Sequence, residues 1–464
     1  MSLQLATLPL LLSLGQAPEL PKDDPRVQAR LSFLARDPEV GTQDSFTQWH
    51  AALEARSPEL TTGLRAEAAL SFFVDTEGGT SAVRIVDNAS ALRLRYQPSS
   101  WGAGEGLTLS VFPLSASRIH MGYAYPVSWS RKSFLSPVDG EPGVELRLKR
   151  SRWSAFAAVK SAELSFESNL DLRWQRRYLG FVGGAFDATP ELRVEAKGTL
   201  GKRGVLSLPF NDDREIPSRG ASARLFWHRG APVGNTVDLS LYAGDPTFYE
   251  RFFTPDVAAT DFAASVSLEG SLQSQDLQDP HSLAPKSVTE TAHAAALDAR
   301  LRVGRLRLNV LGTYRSFAFV RLETPGLSPF YSTPAEDEPR AELTGSIGVD
   351  YHFARTGLTP GLLVRGSLPA FARLSDPYSG NRPLVILEPG RLFALPSGAD
   401  RSLMTTVKAT LRWDLLDVAG VLAEFTYLRN PNRTEFMSDD NGVAVPVHVD
   451  PDSFGGTVML QVRL

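Results

Sequence analysis

The sequence predicts an all-β fold: a closed, antiparallel, up-and-down transmembrane β-barrel of about 18 strands, with about 16 as the smaller alternative, preceded by a short N-terminal helical segment. Three observations lead there. From residue 61 onward, apolar and polar residues alternate with a period of two, segment after segment. No apolar run reaches the roughly 18–20 residues that a membrane-spanning helix requires. A membrane protein lacking such runs must close its strands into a barrel, because lipid offers nothing to pair with an open sheet edge.

Composition narrows the function classes. The 464 residues carry a formal net charge of −4, which gives no electrostatic footprint for nucleic acid. There is no cysteine, so disulfides and thiolate metal sites are excluded. Of the 48 basic residues, all but Lys22, Lys132, Lys149, Lys160, Lys197, Lys202, Lys286 and Lys408 are arginine. That bias fits either a GC-rich genome or an inner surface built of rigid guanidinium groups.

Taken in order, residues 1–17 carry an apolar core, Leu8 to Leu14, followed by Gly15-Gln16-Ala17, the pattern of a secretory signal peptide. Residues 18–60 read as helical. Val27, Leu31 and Leu34 fall at i, i+4, i+7, and Phe46, Trp49 and Leu53 at i, i+3, i+7. Pro25 suits a helix start with Asp24 as its N-cap, and Asp37-Pro38 with Gly41 separates the two pieces. These helices are expected on the periplasmic side, either lying in the barrel mouth or docking an envelope protein partner.

The barrel is expected over 61–464. Leu64, Ala66, Ala68, Leu70, Phe72 and Val74 alternate with Arg65, Glu67 and Ser71. The same rhythm returns at Val144–Lys149, Leu192–Lys197, Ala221–His228, Val237–Leu241 and Phe262–Glu269. The clearest hairpin is 295–321, where Leu297, Ala299, Leu301 and Val303 oppose Asp298, Arg300 and Arg302 up to a tight turn at Gly304-Arg305. Its return strand sets Leu306, Leu308, Val310, Tyr314 and Val320 against Arg307, Asn309, Thr313, Arg315 and Arg321. Further pairs follow at 341–368 and 403–430. Aromatics cluster at strand ends (Tyr96, Trp153, Trp174, Trp227, Tyr351, Phe353, Trp413, Tyr427), as interfacial girdles require. Short turns at 304–305, 354–357 and 415–417 alternate with long connections at 273–290, 322–340, 369–402 and 431–452. The stretches 201–218 and 244–261 break the alternation, since both are long and both count to the periplasmic side.

The last stretch carries a resemblance. Phe454, Gly456, Val458, Leu460, Val462 and Leu464 share one face, and Ser453, Gly455, Thr457, Met459, Gln461 and Arg463 the other. This resembles the terminal strand of a bacterial outer-membrane β-barrel, of the larger porin or polysaccharide-export type. In that family the strand closes the barrel and is read by the insertion machinery. Its last residue is usually aromatic, where this chain has Leu464. The resemblance implies residence in the outer membrane with the lipid bilayer as partner.

No motif points to catalysis. Gly102 to Gly106 lacks the strand-to-helix setting of a nucleotide loop, and Gly201-Lys202 has no Ser or Thr after the lysine. Asp439-Asp440-Asn441-Gly442 lacks the later glutamate of a calcium loop and reads as an external turn. The seven histidines show no metal spacing. No cofactor, metal or nucleic acid is expected, and no enzyme.

A barrel of this size encloses water. The leading expectation is therefore a channel for anionic solutes or a secreted acidic polymer. Its lumen would be lined by Arg93, Arg95, Arg147, Arg300, Arg302, Arg307, Arg315, Arg321, Arg365 and Arg412. Arg300, Arg302, Arg307, Arg315 and Arg321 would form a positive strip with Asp298 as the near acid; the competing reading pairs them with acids of neighbouring strands or external loops. The alternative function is a structural barrel anchoring a surface complex.

Overall fold

The computed structural model describes residues 27–37, 46–77, 83–128, 140–168, 171–206, 214–230, 233, 262–282, 286–322, 330–376, 380–387, 391–416, 419–440 and 442–463. The wall strands run in chain order as β1 (Val27–Asp37), β2 (Phe46–Arg56), β3 (Leu64–Glu77), β4 (Val83–Asp87), β5 (Ala91–Tyr96), β6 (Gly106–Phe112), β7 (Gly143–Lys149), β8 (Trp153–Ser168), β9 (Asp171–Asp187), β10 (Leu192–Leu206), β11 (Arg214–Arg229), β12 (Phe262–Gln278), β13 (Ser287–Val303), β14 (Leu306–Arg315), β15 (Glu342–Tyr351) and β16 (Leu358–Leu368). The chain then leaves the wall for a small sheet of β17 (Ala370–Asp376), β18 (Gly380–Leu387) and β19 (Arg391–Ala394). It returns as β20 (Met404–Leu416) and β21 (Ala419–Arg429), makes an outlying hairpin of β22 (Thr434–Ser438) and β23 (Ala444–His448), and re-enters as β24 (Asp452–Arg463). One short helix, α1 (Phe317–Arg321), follows β14.

Each wall strand pairs antiparallel with the next, and β24 pairs with β1, so the ring closes. β4 and β5 share one place beside β3, and the result is an 18-strand closed barrel. Closure leaves no sheet edge, which is what makes the wall compatible with lipid.

The alternation seen in the sequence becomes inside and outside. On β5, Leu92, Leu94 and Tyr96 are exposed outward while Arg93 and Arg95 turn in. On β24, Phe454 and Val458 are exposed and Leu460 and Val462 lie on the same outer face; Ser453, Thr457, Met459 and Gln461 are buried inward. Leu464 lies outside the described residues. Outward aromatics gather at one end of the barrel: Tyr96, Trp153, Phe186, Tyr351, Phe353 and Trp413. That end carries the short turns, among them 304–305, where Gly304 adopts φ 57° as a two-residue hairpin loop requires. The long connections 113–142, 316–341, 369–403 and 430–451 leave the other end. By the rule for such barrels, short turns face the periplasm and long loops the exterior.

The N-terminal helices are not there. Val27–Asp37 and Phe46–Arg56 are β1 and β2, and β1 is the strand against which the terminal strand closes. The periods of helix and strand coincide at i, i+4, so Val27 with Leu31, and Trp49 with Leu53, fit both. The residues between decide it: Ala29, Phe33 and Ala35 continue the apolar face, and Ser32 and Arg36 the polar one. The barrel therefore begins by Val27, and the docking helices expected in 18–60 have no counterpart among the described residues of that segment. The signal peptide expected at 1–17 lies outside the described residues.

Other boundaries also moved. Val320 and Arg321 belong to α1, because β14 ends at Arg315 and Ser316 caps a helix there. The expected connection 201–218 is mostly strand, with only 207–213 between β10 and β11. The expected long connection 273–290 shrinks to 279–286. β11 pairs directly with β12 from Ser218↔Gln275 to Arg229↔Ala264, so the wall admits no strand between them. The strand expected at 237–241 and the stretch 244–261 lie outside the described residues.

Candidate functional site

The connection after β6 does not stay at the rim. Its residues 113–128 fold into the barrel and meet the far wall. Ala116, Ile119, Met121 and Val127 are almost fully buried and join Ala158 and Ala162 of β8 and Leu179 and Phe181 of β9 in one apolar cluster. Those β8 and β9 residues point inward, where a water-filled wall would carry polar groups. The sequence held this signal. Ala155 to Val159 and Leu179 to Val182 are apolar on both faces, which marks wall covered from within.

The loop tip is a tight reversal. Met121 and Val127 exchange two main-chain hydrogen bonds (3.1 and 2.8 Å). Gly122 adopts φ 79°, and a Cβ there would stand 2.5 Å from the Tyr125 carbonyl oxygen, so only glycine turns this corner. Four hydrogen bonds clamp the tip to β10, β11 and β12. The Gly122 N–H donates to Ser222 Oγ (2.9 Å), and the N–H groups of Tyr123 and Ala124 donate to the two carboxylate oxygens of Glu269 (2.8 and 2.6 Å). Lys197 Nζ donates to the Gly122 carbonyl (3.1 Å). Gly220 leaves the seat for Met121, since a Cβ there would meet Met121 Sδ at 2.6 Å.

Beyond the clamp, Arg315 of β14 lies over the Tyr125 ring at 4.8 Å, and Phe319 of α1 meets the same ring edge-on at 6.2 Å. β14 lies eight places round the 18-strand ring from β6. A loop that leaves one wall and touches the nearly opposite one crosses the lumen and narrows it.

Cations crowd this crossing. Lys197 Nζ sits 4.1 Å and Arg224 Cζ 4.2 Å from the centre of the Tyr123 ring. Such contacts contribute about 0.5–2 kcal/mol each. Burial and the nearby Glu195 carboxylate push the Tyr123 hydroxyl above its ordinary range, so it stays neutral. Burial, with Lys197 beside it, pushes His120 down to about 3, so this loop histidine is neutral too.

Three ion pairs of the β7–β11 wall share an orientation. Arg147 pairs with Glu145 (2.8 Å), and Arg193 and Arg224 both pair with Glu195. The arginines are 43, 36 and 27% exposed, against 13 and 10% for the two glutamates. The carboxylates lie against the wall and the guanidinium groups face the lumen. Glu269, spent on the loop tip, is 7% exposed.

The strip expected on β13–β14 comes out differently. Arg300 pairs with Asp298, Arg307 with the buried Asp350, Arg315 with Glu342, and Arg321 with Glu290. Arg307, Arg315 and Arg321 thus pair with acids of neighbouring strands, while Arg300 takes Asp298, the near acid on its own strand. Sequence alone could not decide, because Asp350 and Glu342 reach these arginines only through the β14–β15 register. Arg302 is the exception. It is 3% exposed, and its three guanidinium nitrogens bond to none of the described residues. Asn309, diagonal to it, likewise has both amide atoms unpartnered among the described residues. Of the other expected lining residues, Arg412 pairs with Asp414, Arg93 lies 3.7 Å from Glu67, and Arg95 stands across from Arg65. Arg365 is on the inner face of β16, across from Ser346 and Thr406. Lys197, Arg224 and Glu269 fall on the polar strand faces as their alternation predicts, but their part in holding the crossing loop is one that strand periodicity does not register.

No protein-family model and no curated protein matches the sequence. Solved structures do match in fold. The Acinetobacter baumannii protein OccAB1 superposes with a TM-score of 0.50 at 9% identity, over 95% of this chain and 96% of that one. The Pseudomonas aeruginosa outer membrane protein OpdK gives 0.49 at 8% identity over 95% and 98%, and OccK3 (OpdO) of the same species 0.48 at 12% over 95% and 96%. At these identities the likeness is one of fold: a large closed β-barrel.

Proposed function

We propose that this outer-membrane barrel is a diffusion channel for small anionic solutes, with its selective point where residues 113–128 cross the lumen. The observation that carries this is the orientation of Arg147, Arg193 and Arg224 against Glu145 and Glu195 on β7–β11. Each guanidinium turned to the lumen presents several N–H donors, while the balancing carboxylate is withdrawn into the wall. In a water-filled passage with low-dielectric walls, that arrangement leaves a positive lining although the charges nearly cancel in number. Arg302 on β13, with no acid on it among the described residues, adds an uncompensated charge two places round the ring from β11. The crossing loop favours small solutes over a threaded polymer, so the secreted-polymer form of the hypothesis is the weaker one.

Planar-bilayer recordings test the proposal. In a potassium chloride gradient the reversal potential should carry the sign of anion preference. Replacing both Arg147 and Arg224 by Ser should move it toward zero. A cation-selective wild type, or one that never conducts, would overturn the reading.

A further inference from the structure

α1 is only five residues long, yet it separates two apolar cores. Phe319 and Leu322, spaced i, i+3, belong to the cluster that holds the crossing loop, with Ile119, Met121 and Val127. Phe317 and Val320, also i, i+3, belong to the core of the external sheet β17–β19, with Ala370, Ala372, Leu384 and Ile386. Residues three apart lie on one side of a helix, so the two pairs point to different sides. The loop touches one side of α1 and the external sheet the other.

Both connections are reinforced. On the loop side, the Phe319 ring meets Tyr125 edge-on, and Tyr125 also lies under Arg315. On the sheet side, the segment after α1 joins β17 through a reciprocal main-chain pair between Arg340 and Phe371 (2.8 and 3.1 Å). The Arg340 guanidinium also bonds Asp400 (2.7 Å) and Glu338 (3.4 Å), and Glu338 in turn holds Arg373 (3.3 Å). The opposite face of β17–β18 is packed as well, by Leu395 and partly buried Phe393 and Met404 against Phe371 and Val385. The sheet is therefore a compact body at the external end rather than a loose loop. α1 is pinned to β13 by Ser316 with His293 (3.0 Å) and by Arg321 with Glu290 (3.1 Å).

We infer that α1 couples the external sheet to the crossing loop, so that Phe319 is a positioning residue for the pore aperture and the sheet's packing on Phe317 and Val320 sets where Phe319 stands. Close-packed apolar cores shift between discrete arrangements rather than deforming smoothly. A change on the sheet side of α1 therefore arrives at Tyr125 as a displaced ring. A ligand that binds the external sheet would be read at the constriction by this route. The inference rests on the channel reading.

The test compares F319A, which removes the loop contact, with the double variant F317A/V320A, which empties only the sheet side. The lack of native cysteine allows a single reporter, A124C, on the exposed part of the loop tip. Folding of each variant is checked by migration of unheated against boiled samples. In both backgrounds the single conductance level should broaden into several, and a charged thiol reagent should modify A124C faster than in the parent. If F317A/V320A keeps the parent's conductance and labelling rate while F319A changes them, α1 holds the loop without the sheet and the coupling is wrong. If both variants match the parent, α1 does not position the loop at all. A parent that does not conduct would instead defeat the channel reading, and the labelling rates would still report on the coupling.

Discussion

Phe33 stands directly opposite Leu460, on the outer face of the seam where the first described strand meets the last. The register continues from Arg30↔Arg463 to Asp37↔Gly456, so β24 has β1 on one side and β21 on the other. The N-terminal segment, expected as periplasmic helices, supplies half of the closure.

Deleting residues 27–56 should therefore abolish barrel formation. The unheated sample should show no fast-migrating band in detergent gels, because β24 and β3 would both be left as unpaired edges. A deletion that still gave the heat-modifiable form would show that the seam is not required.

Leu460→Arg should destabilise the barrel by about 2–4 kcal/mol, the cost of a charge on the lipid face near mid-bilayer. Denaturant titration in lipid vesicles measures it, with Leu460→Val as the control for lost volume. Equal midpoints for the two variants would contradict the assignment of faces.

Arg307 and Arg302 should respond differently to replacement by Ser, although they are cross-strand neighbours of the same chemistry. Arg307→Ser leaves the 1%-exposed Asp350 carboxylate without its guanidinium, a loss of about 3–5 kcal/mol for a buried pair. Arg302→Ser should cost little or even stabilise, and should lower anion preference. Equilibrium unfolding separates them; the reverse ranking would show that Arg302 has an acid of its own.

Gly220→Val should unseat the loop without breaking the wall, because the new side chain occupies the place of Met121 and Gln273. Conductance should rise and anion preference should fall while the folded gel band persists. An unchanged conductance would mean that the loop does not narrow the passage.

His120 gives a pH signature. Its docked value is about 3 and its undocked value is the ordinary one near 6.5, so the docked loop binds fewer protons. Docking is therefore at full strength above about pH 6.5 and weakens as pH falls from there toward 3. Open-channel noise should grow over that window, and His120→Asn should remove the dependence. A pH-independent noise level in the unmodified protein would refute the link.

The sequence was informative wherever structure follows a local period. Leu92 and Leu94 against Arg93 and Arg95, or Phe454 and Val458 against Thr457 and Gln461, already stated which way each side chain faces. The same rule misled at β1 and β2, since Val27 with Leu31 fits both periods and Gln, Ala and Arg are good helix formers.

By itself, then, the sequence determined a membrane barrel with an apolar outside and a charged inside, because alternation is a property of neighbouring residues and lipid permits no other use of it. Only the tertiary structure decided the rest. That β1 closes on β24, that Asp350 answers Arg307 while nothing described answers Arg302, and that Gly122 to Ala124 cross to Glu269 are all pairings of residues far apart in the chain. They depend on cross-strand register and on where a loop finds an apolar seat, and a period of two carries neither.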